Sequence, residues 1–376
     1  MQPQFAIGQK VIGQRLLWGS YFFVLLLNIM TDNGNDRLNA KPWTASVPPK
    51  RILVIRLQAI GDVVLCFPAL QQLKNTYPNA EIDLLTRKNL KGITQNLLAI
   101  NKVVTITNSQ RKWRQALDIA RILPFLLARK YDVVIDLQRS SITQKMRRIL
   151  LPKAWSEFER KTLLPATERY RRAVQAAGLN IPLGHPLLQI KNADRGHHLL
   201  MENGWDAVSE IVLLNPAGFF KSRNWPIENY VAFARQWQAV FPATQFLVMG
   251  DERIASKAFF LKEQLGDSLI NLQNKTTIEE AFCILSKLRF MLSEDSGLFW
   301  MAWVQKIPSI AMYGSTPGSL MNMGGSHAAF FTSSDMPCGD CYQPDCKFGD
   351  VPPCLSRYTP EMMIASAMEI LKRNSP

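Results

Sequence analysis

From residue 51 onward, apolar runs of strand length alternate with stretches whose apolar residues recur at helical spacing. The first series of apolar runs covers residues 51–57, 80–86, 102–107 and 131–138. Such runs predict buried parallel strands, and the amphipathic stretches between them predict helices. The helix over residues 114–130 is predicted to break at Pro124, because proline removes a backbone hydrogen bond.

A second series of apolar runs covers residues 211–218, 244–250, 268–273, 289–293 and 308–314, and a helix is predicted over residues 359–373. Two series of this kind predict an α/β fold with two Rossmann-like, parallel-sheet domains in tandem. We expect a non-core extension (1–49), an N-terminal domain (50–192), a C-terminal domain (193–358) and a terminal helix with a short tail (359–376).

The extension contains an apolar run over residues 15–30, interrupted by small and polar residues. A helix that spans a bilayer needs about 20 apolar residues, and this run is shorter. Three interpretations remain open: an interfacial anchor, a poorly cleaved signal, or residues upstream of a true start at Met30. The polar residues 31–50 that follow are expected to lie outside the fold.

The chain of 376 residues carries a formal net charge of +14, which is unevenly distributed. Residues 101–175 hold 17 Lys and Arg against 6 Asp and Glu, an excess of 11. A basic region of this kind indicates an anionic partner, either nucleic acid, an acidic membrane surface or a phosphorylated substrate. A solvated basic surface without a partner is the structural alternative.

Several short loops follow the predicted strands directly: "QAIGD", "NPAGFFKSRNWP", "GDER", "EDSG" and "GSTP". In open α/β sheets, ligands bind at the carboxyl ends of the strands. These loops therefore predict a site in a central cleft that the two domains face.

In the first loop, Gly61 and Asp62 stand where a strand turns into a helix. The loop lacks the G-x-G-x-x-G pattern of a dinucleotide-binding site. Asp62 is a candidate catalytic carboxylate that accepts a proton from an incoming hydroxyl group. The structural alternative is that Asp62 caps the helix.

The loop over residues 215–226 is a candidate phosphate-binding loop. Small residues at Ala217 and Gly218 would let backbone N–H groups approach a phosphate near a helix N-terminus. Charged and hydroxyl donors suited to a diphosphate follow at Lys221, Ser222 and Arg223. A basic surface loop is the alternative.

In the loop "EDSG", Asp295 is a candidate acceptor for sugar or ribose hydroxyl groups. Ser296 and Gly297 would present main-chain donors at the start of the following helix. Here too, a helix N-cap at Asp295 or Ser296 is the structural alternative.

Taken in order, these motifs resemble bacterial glycosyltransferase family 9, whose best-known members are the ADP-heptose:lipopolysaccharide heptosyltransferases. The resemblance runs from Arg51 to the C-terminal helix. It rests on "RLQAIGDVVLCFPALQQLKNTYPNAEIDLLT", "YDVVIDLQ", "NPAGFFKSRNWPIENY", "EDSG…IPSIAMYGSTP" and "CLSRYTPEMM".

The resemblance implies a GT-B architecture, with an N-terminal acceptor domain and a C-terminal nucleotide-sugar domain. It implies an inverting enzyme that needs no cofactor or catalytic metal and takes a nucleoside-diphosphate sugar as co-substrate. By position, Asp62 matches the catalytic aspartate of the family. Donor contacts are implied at Ala217, Gly218, Arg223, Glu252, Asp295, Ser296 and Gly297.

This sequence departs from the family pattern at Trp300, where members usually carry a histidine five residues after the corner aspartate. None of the four histidines of the chain lies on a matching motif. An indole cannot carry positive charge, but it offers a stacking face and one N–H donor. We expect Trp300 to line the donor pocket; packing in a buried helix is the alternative.

Four of the six cysteines form a late cluster with C-x2-C-x4-C-x7-C spacing: Cys338, Cys341, Cys346 and Cys354. This spacing is compatible with a structural four-thiolate zinc site. A structural loop, either reduced or clipped by a metal, is preferred over a reactive site, since similar runs in related transferases have no established catalytic role.

The sequence thus predicts transfer of a heptose or related sugar, with ADP-heptose as the expected donor and a lipopolysaccharide inner-core glycolipid as acceptor. An enzyme of this kind is expected to be cytoplasmic and peripheral to the inner membrane, with no nucleic-acid partner. Three alternatives remain: a different donor or acceptor, a relative that binds nucleotide without catalysis, and a nucleic-acid-binding protein suggested by the basic charge. The sequence leaves the oligomeric state open.

Overall fold

The computed structural model describes residues 38–109, 111–160, 162, 164–321 and 323–374. Within these residues the strands form two six-stranded sheets. The first sheet comprises β1 (Asn39–Lys41), β2 (Arg51–Ile55), β3 (Glu81–Arg87), β4 (Lys102–Ile106), β5 (Val133–Asp136) and β6 (Ala154–Glu157), in the spatial order β1-β6-β5-β2-β3-β4. All neighbouring strands in it are parallel except β1 and β6.

Helices connect the strands of this first domain. They are α1 (Ile60–Val64), α2 (Phe67–Thr76), α3 (Lys91–Gln95), α4 (Lys112–Arg129), α5 (Ser141–Leu150) and α6 (Ala166–Ala176). The central strand β2 is buried on both faces after its first residue, as its run of β-branched and leucine side chains predicts.

The second sheet is wholly parallel in its named pairings. It comprises β7 (Ile211–Asn215), β8 (Gln245–Gly250), β9 (Leu269–Gln273), β10 (Leu288–Glu294), β11 (Ser309–Met312) and β12 (Ala328–Phe331), in the order β12-β11-β10-β7-β8-β9. The associated helices are α7 (His197–Glu202), α8 (Ile227–Val240), α9 (Ala255–Leu265), α10 (Ile278–Ile284), α11 (Gly297–Val304), α12 (Gly318–Met321), α13 (Pro353–Ser356) and α14 (Pro360–Arg373).

The two domains share one apolar core. A single cluster of buried side chains runs from α2 and α6 in the first domain to α10 and α11 in the second. Phe67 and Phe282 meet in it edge to face, with 6.0 Å between their ring centroids. The prediction of two Rossmann-like, parallel-sheet domains is confirmed, and the two domains contact each other through this cluster.

Parts of the chain differ from the sequence-based expectations. The extension is not wholly outside the fold: β1 pairs with β6, and the Trp43 amide donates to the carbonyl of Ala177 at 2.8 Å. The short strands β6 and β12 were not predicted. Helix α4 continues through Pro124, which lies on the exposed side of the helix.

None of the helices in the described part of the chain is long and apolar enough to cross a membrane. The apolar run at residues 15–30 lies outside the described residues, so its three interpretations stay open.

Candidate functional site

A cavity of about 930 Å³ lies between the two domains, at the carboxyl edges of both sheets. Its wall combines strand-end loops from each domain. Of the predicted site residues, seven line it: Asp62, Ala217, Arg223, Asp295, Ser296, Gly297 and Trp300. The position of these residues agrees with the predicted site in the cleft.

Asp62 lies in the first turn of α1, with its side chain 37% exposed. Its Oδ2 accepts a hydrogen bond from the Ala59 amide at 3.1 Å and lies 2.6 Å from Nη2 of Arg56. The phenol of Tyr170 donates to the Asp62 carbonyl at 3.2 Å. The carboxylate therefore contacts the helix N-terminus and is also held by a cation at the edge of the cavity.

Arg56 was not predicted from the sequence, yet it fixes the position of Asp62. The side chain is buried at the end of β2 and donates to the carbonyl of Leu137 at 2.5 Å. Its guanidinium also lies 5.4 Å from the Phe158 ring centroid. The sequence did offer one indication: a charged residue directly after a buried strand must find a partner, because an unpaired buried charge is costly.

On the opposite wall, Arg223 forms an ion pair with Asp295 at 2.8 Å, and both side chains are 12% exposed. Thr316 donates to the same Asp295 oxygen at 2.6 Å. Burial raises the pKa of Asp295, and Thr316 and Arg223 act in the opposite direction. The Arg223 side chain lines the cavity, and its Nε is buried without a hydrogen-bond partner among the described residues.

Glu294, the residue before this aspartate, organises the loop at residues 215–226. It is fully buried and accepts from the amides of Gly218 at 2.7 Å and Trp225 at 2.8 Å. Lys257 approaches it at 3.5 Å. The sequence analysis missed Glu294, although a carboxylate at the end of an apolar strand indicates a buried, paired charge.

Four of the predicted donor residues do not reach the cavity wall. The Gly218 amide is engaged by Glu294, so it is not free for a phosphate. Lys221 is 75% exposed beside Asp350, at 3.9 Å. Ser222 is buried, where its hydroxyl bonds Ser315 at 2.9 Å. Glu252 is exposed and accepts from the side chain of Asn274.

These outcomes correct the prediction for Lys221 and Ser222. Residues 221–223 form one turn of 3₁₀-helix, in which successive side chains point about 120° apart. Arg223 therefore faces the cavity, while Ser222 points into the protein and Lys221 points to solvent.

The N-termini of α1 and α11 approach each other across the cleft. A Cβ atom at Gly297 would clash with Ile60, and one at Gly61 would lie 2.8 Å from Cδ1 of Trp300. Ser296 caps α11 through a hydrogen bond from the Phe299 amide at 3.4 Å. Only residues without a side chain permit this close approach, which brings the Asp62 loop against the second domain.

Trp300 combines both roles considered for it. The side chain is 6% exposed and stacks with Tyr313 and Phe330 at 6.4 and 6.3 Å between centroids. It also forms part of the cavity wall and supports Gly61. The indole is thus a core residue with one edge at the site.

Arg169 on α6 is a further residue of the cavity that the sequence analysis missed. Its guanidinium lies 5.6 Å from the Phe158 ring centroid, and its buried Nε has no hydrogen-bond partner among the described residues. In the sequence it is one of several arginines in a basic helix, so no local signal separates it from the others. It adds positive charge to the wall formed by the first domain.

The late cysteine loop carries free thiols. Nowhere in the described chain do three or more His, Cys, Asp or Glu side chains come together as a set able to hold a metal ion. Burial, followed by the neighbouring Cys346, raises the pKa of the Cys354 thiol to about 11. Whether the loop is reduced or clipped by zinc at Cys338, Cys341, Cys346 and Cys354 therefore stays a prediction.

Comparison with known protein families decides the class of this molecule. The sequence model of glycosyltransferase family 9 (heptosyltransferase) matches residues 119–351, which is more than half of the chain. The chain belongs to glycosyltransferase family 9. It is a glycosyltransferase, as the strand-end motifs predicted.

Curated relatives in this family include two heptosyltransferases that cover most of the chain. Lipooligosaccharide heptosyltransferase 2 of Haemophilus influenzae is 24% identical over 294 residues, covering 70% of this chain and 83% of the relative. Lipopolysaccharide heptosyltransferase 1 of Pseudomonas aeruginosa is 23% identical over 381 residues, covering 85% and 98%.

Solved structures of the family share the architecture. A glycosyl transferase family 9 protein from Veillonella parvula superposes with a TM-score of 0.73 at 16% identity, covering 86% of this chain and 98% of its own. The E. coli ADP-heptose lipopolysaccharide heptosyltransferase II gives 0.66 at 18% identity, covering 86% and 99%. The family 9 transferase described here therefore has the GT-B fold that the resemblance implied.

Proposed function

We propose that this family 9 enzyme transfers a heptose from ADP-heptose to a hydroxyl group of a lipopolysaccharide inner-core acceptor, with inversion at the anomeric carbon. The named relatives are heptosyltransferases that act on lipopolysaccharide or lipooligosaccharide. The observation that carries the proposal is the cavity itself, where Asp62 on one wall faces a guanidinium–carboxylate pair on the other.

In this mechanism Asp62 accepts the proton of the acceptor hydroxyl as its oxygen attacks the anomeric carbon. Arg56 holds the carboxylate through the contact at 2.6 Å, so the base is in position before the substrate binds. The proton moves to Asp62, the new glycosidic bond forms, and the bond to the diphosphate oxygen breaks. Groups already placed where charge develops make a large contribution to rates of this kind.

The negative charge that develops on the leaving diphosphate is assigned to Arg223 and to the N-terminus of α11. The Arg223 guanidinium supplies positive charge at the cavity wall. The eight-residue helix α11 directs its amide groups toward the same space behind Ser296, where a helix dipole favours anions. Asp295, held by Arg223 and Thr316, is placed to accept donor hydroxyl groups.

On the first domain, Arg169 and the basic region at residues 101–175 are assigned to the anionic groups of the acceptor. An acceptor of this type is a membrane lipid, so the proposal places the enzyme on the cytoplasmic face of the inner membrane as a peripheral protein. Phosphate and carboxylate groups of an inner-core glycolipid complement such a surface.

A screen of purified protein against ADP-heptose and other nucleotide sugars tests this proposal. Nucleoside-diphosphate release is measured with and without a lipopolysaccharide core that lacks heptose. We expect release from ADP-heptose that depends on the acceptor. Faster acceptor-dependent release from another nucleotide sugar would replace the donor, and no acceptor-dependent release from any donor would contradict the proposed activity.

A further inference from the structure

Helix α4 (Lys112–Arg129) has apolar side chains on both of its faces, which is unusual for a helix on a protein surface. The inner face packs Ala116, Ile119, Leu123 and Leu126 into the core. The outer face exposes three large apolar residues: Trp113 (52%), Leu117 (51%) and Leu127 (44%). About half of the surface of each of these side chains is therefore open to solvent.

The charges around these residues are predominantly basic. Arg114 lies with its guanidinium 5.1 Å from the Trp113 ring centroid, and the side chain of Arg121 is 72% exposed. Asp118 is the one acid on the helix and is buried: its Oδ2 accepts from the Thr107 amide at 2.9 Å, and its Oδ1 lies 3.6 Å from Nη2 of Arg121. The outer surface therefore presents apolar groups and positive charge together.

The first turn of α4 lies at the same edge of the sheet as the candidate site. Strands β2, β3 and β4 are parallel, so their carboxyl ends share one edge. Asp62 follows β2, and Trp113 follows β4, the outermost strand. A surface that contacts the outer face of α4 would therefore lie beside the acceptor side of the cleft.

We propose that the outer face of α4, defined by Trp113, Arg114, Leu117, Arg121 and Leu127, docks on an anionic lipid bilayer. Aromatic and aliphatic side chains enter the interface between headgroups and acyl chains, and arginines pair with anionic headgroups. This inference rests on the proposed function, since a glycolipid acceptor places the substrate in that bilayer. Docking there would bring the cleft to the membrane surface from which the acceptor projects.

The test measures binding of the full chain to vesicles of phosphatidylcholine, with and without phosphatidylglycerol, by co-sedimentation. We expect Trp113→Ser with Leu117→Ser to weaken binding to the anionic vesicles by about tenfold. The double variant Arg114→Gln, Arg121→Gln should weaken binding to the anionic vesicles by about fivefold for each arginine replaced. Added salt should weaken binding of the wild-type protein in the same way, because it screens the arginine charges. Phe259→Ser is the matched control: Phe259 is an apolar residue on a helix of the other domain, 63% exposed, and its loss should leave binding within about twofold of wild type.

A second readout locates the contact itself. In vesicles with brominated acyl chains, the wild-type protein should show tryptophan quenching that Trp113→Phe largely removes while binding persists. Unchanged binding of the Trp113→Ser, Leu117→Ser variant would overturn the proposal and place the membrane contact elsewhere, residues 15–30 included. A change in oligomeric state in place of vesicle binding would also overturn it, because the face would then join copies of the chain.

Failure of this inference is separable from failure of the proposed function. With acceptor dispersed in detergent, the Trp113→Ser, Leu117→Ser variant should release ADP at the wild-type rate, since these two uncharged residues do not line the cavity. Wild-type activity in detergent together with unchanged vesicle binding would refute docking alone. Docking that depends on α4, without sugar transfer from any donor, would refute the proposed function alone.

Discussion

Trp300→Ala is expected to reduce both the stability of the protein and its rate of sugar transfer. The indole is 6% exposed and contacts the rings of Tyr313 and Phe330 in the core. Truncation of a buried tryptophan to alanine costs about 3–5 kcal/mol in free energy of unfolding, because the cavity left behind is only partly refilled. The aromatic stacking contacts place the expected loss in the upper half of that range.

The same substitution removes the surface on which Gly61 rests, next to Asp62. A shift of about 1 Å in a reacting group can lower a rate by about 10²-fold. We therefore expect kcat to fall by roughly ten- to a hundredfold at temperatures where the variant is still folded. The Michaelis constant for the donor should change less, because Arg223 and Asp295 stay in place.

Trp303→Ala provides the matched control. Trp303 is 4% exposed on the same helix, but it does not line the central cavity. Urea unfolding followed by circular dichroism, together with initial rates of ADP release, distinguishes the two variants. Both should lose several kcal/mol of stability, and only Trp300→Ala should lose most of its kcat. Equal effects on kcat, or a Trp300→Ala variant within about 1 kcal/mol of wild type, would refute the reasoning.

Asp62→Asn should lower the transfer rate by about 10²–10⁴-fold and leave donor binding intact, and a loss below tenfold in steady-state assays would assign Asp62 to helix capping. Arg223→Ala should weaken donor binding by about 1.5–3 kcal/mol in calorimetry. Lys221 is exposed, so Lys221→Ala should bind the donor as the wild type does. Equal losses in the two variants would show that Lys221 also contacts the donor. His185 stacks on Trp303 and bonds the Val304 carbonyl at 2.9 Å, and burial lowers its pKa to about 4. Protonation of this imidazole therefore favours the unfolded chain. The free energy of unfolding should fall by about 2 kcal/mol as the pH drops from 6.5 toward 4. Urea unfolding at several pH values should show that His185→Gln lacks this loss.

Much of the fold could be predicted from the sequence because the central strands of the two sheets are buried on both faces. A strand such as β2 appears as an uninterrupted apolar run, and the loops after such runs share one edge of a sheet. Strand β6 was missed because it is short and ends in Glu157, whose charge is paired with Arg147 at 2.5 Å only in the folded protein. The continuous helix α4 was missed because the exposure of Pro124 is a tertiary property.

For the site, sequence reasoning found residues whose position follows from a strand end, such as Asp62 and Asp295. It failed where side-chain direction decides the role: Ser222 and Arg223 are adjacent, yet one is buried and the other lines the cavity. Arg169 reaches the cleft from a helix far along the chain, and only the packing of the two domains brings it there. Such contacts depend on tertiary structure and leave no local pattern.

The central claim is inverting transfer of heptose at the cavity that contains Asp62. The most direct test incubates the purified full chain with ADP-heptose and a heptose-deficient lipopolysaccharide core, and determines the product by mass spectrometry and NMR. We predict one added heptose, with an anomeric configuration opposite to that of the donor, and no such product from Asp62→Asn. A product that retains the donor configuration, or equal product from the Asp62→Asn variant, would contradict the account.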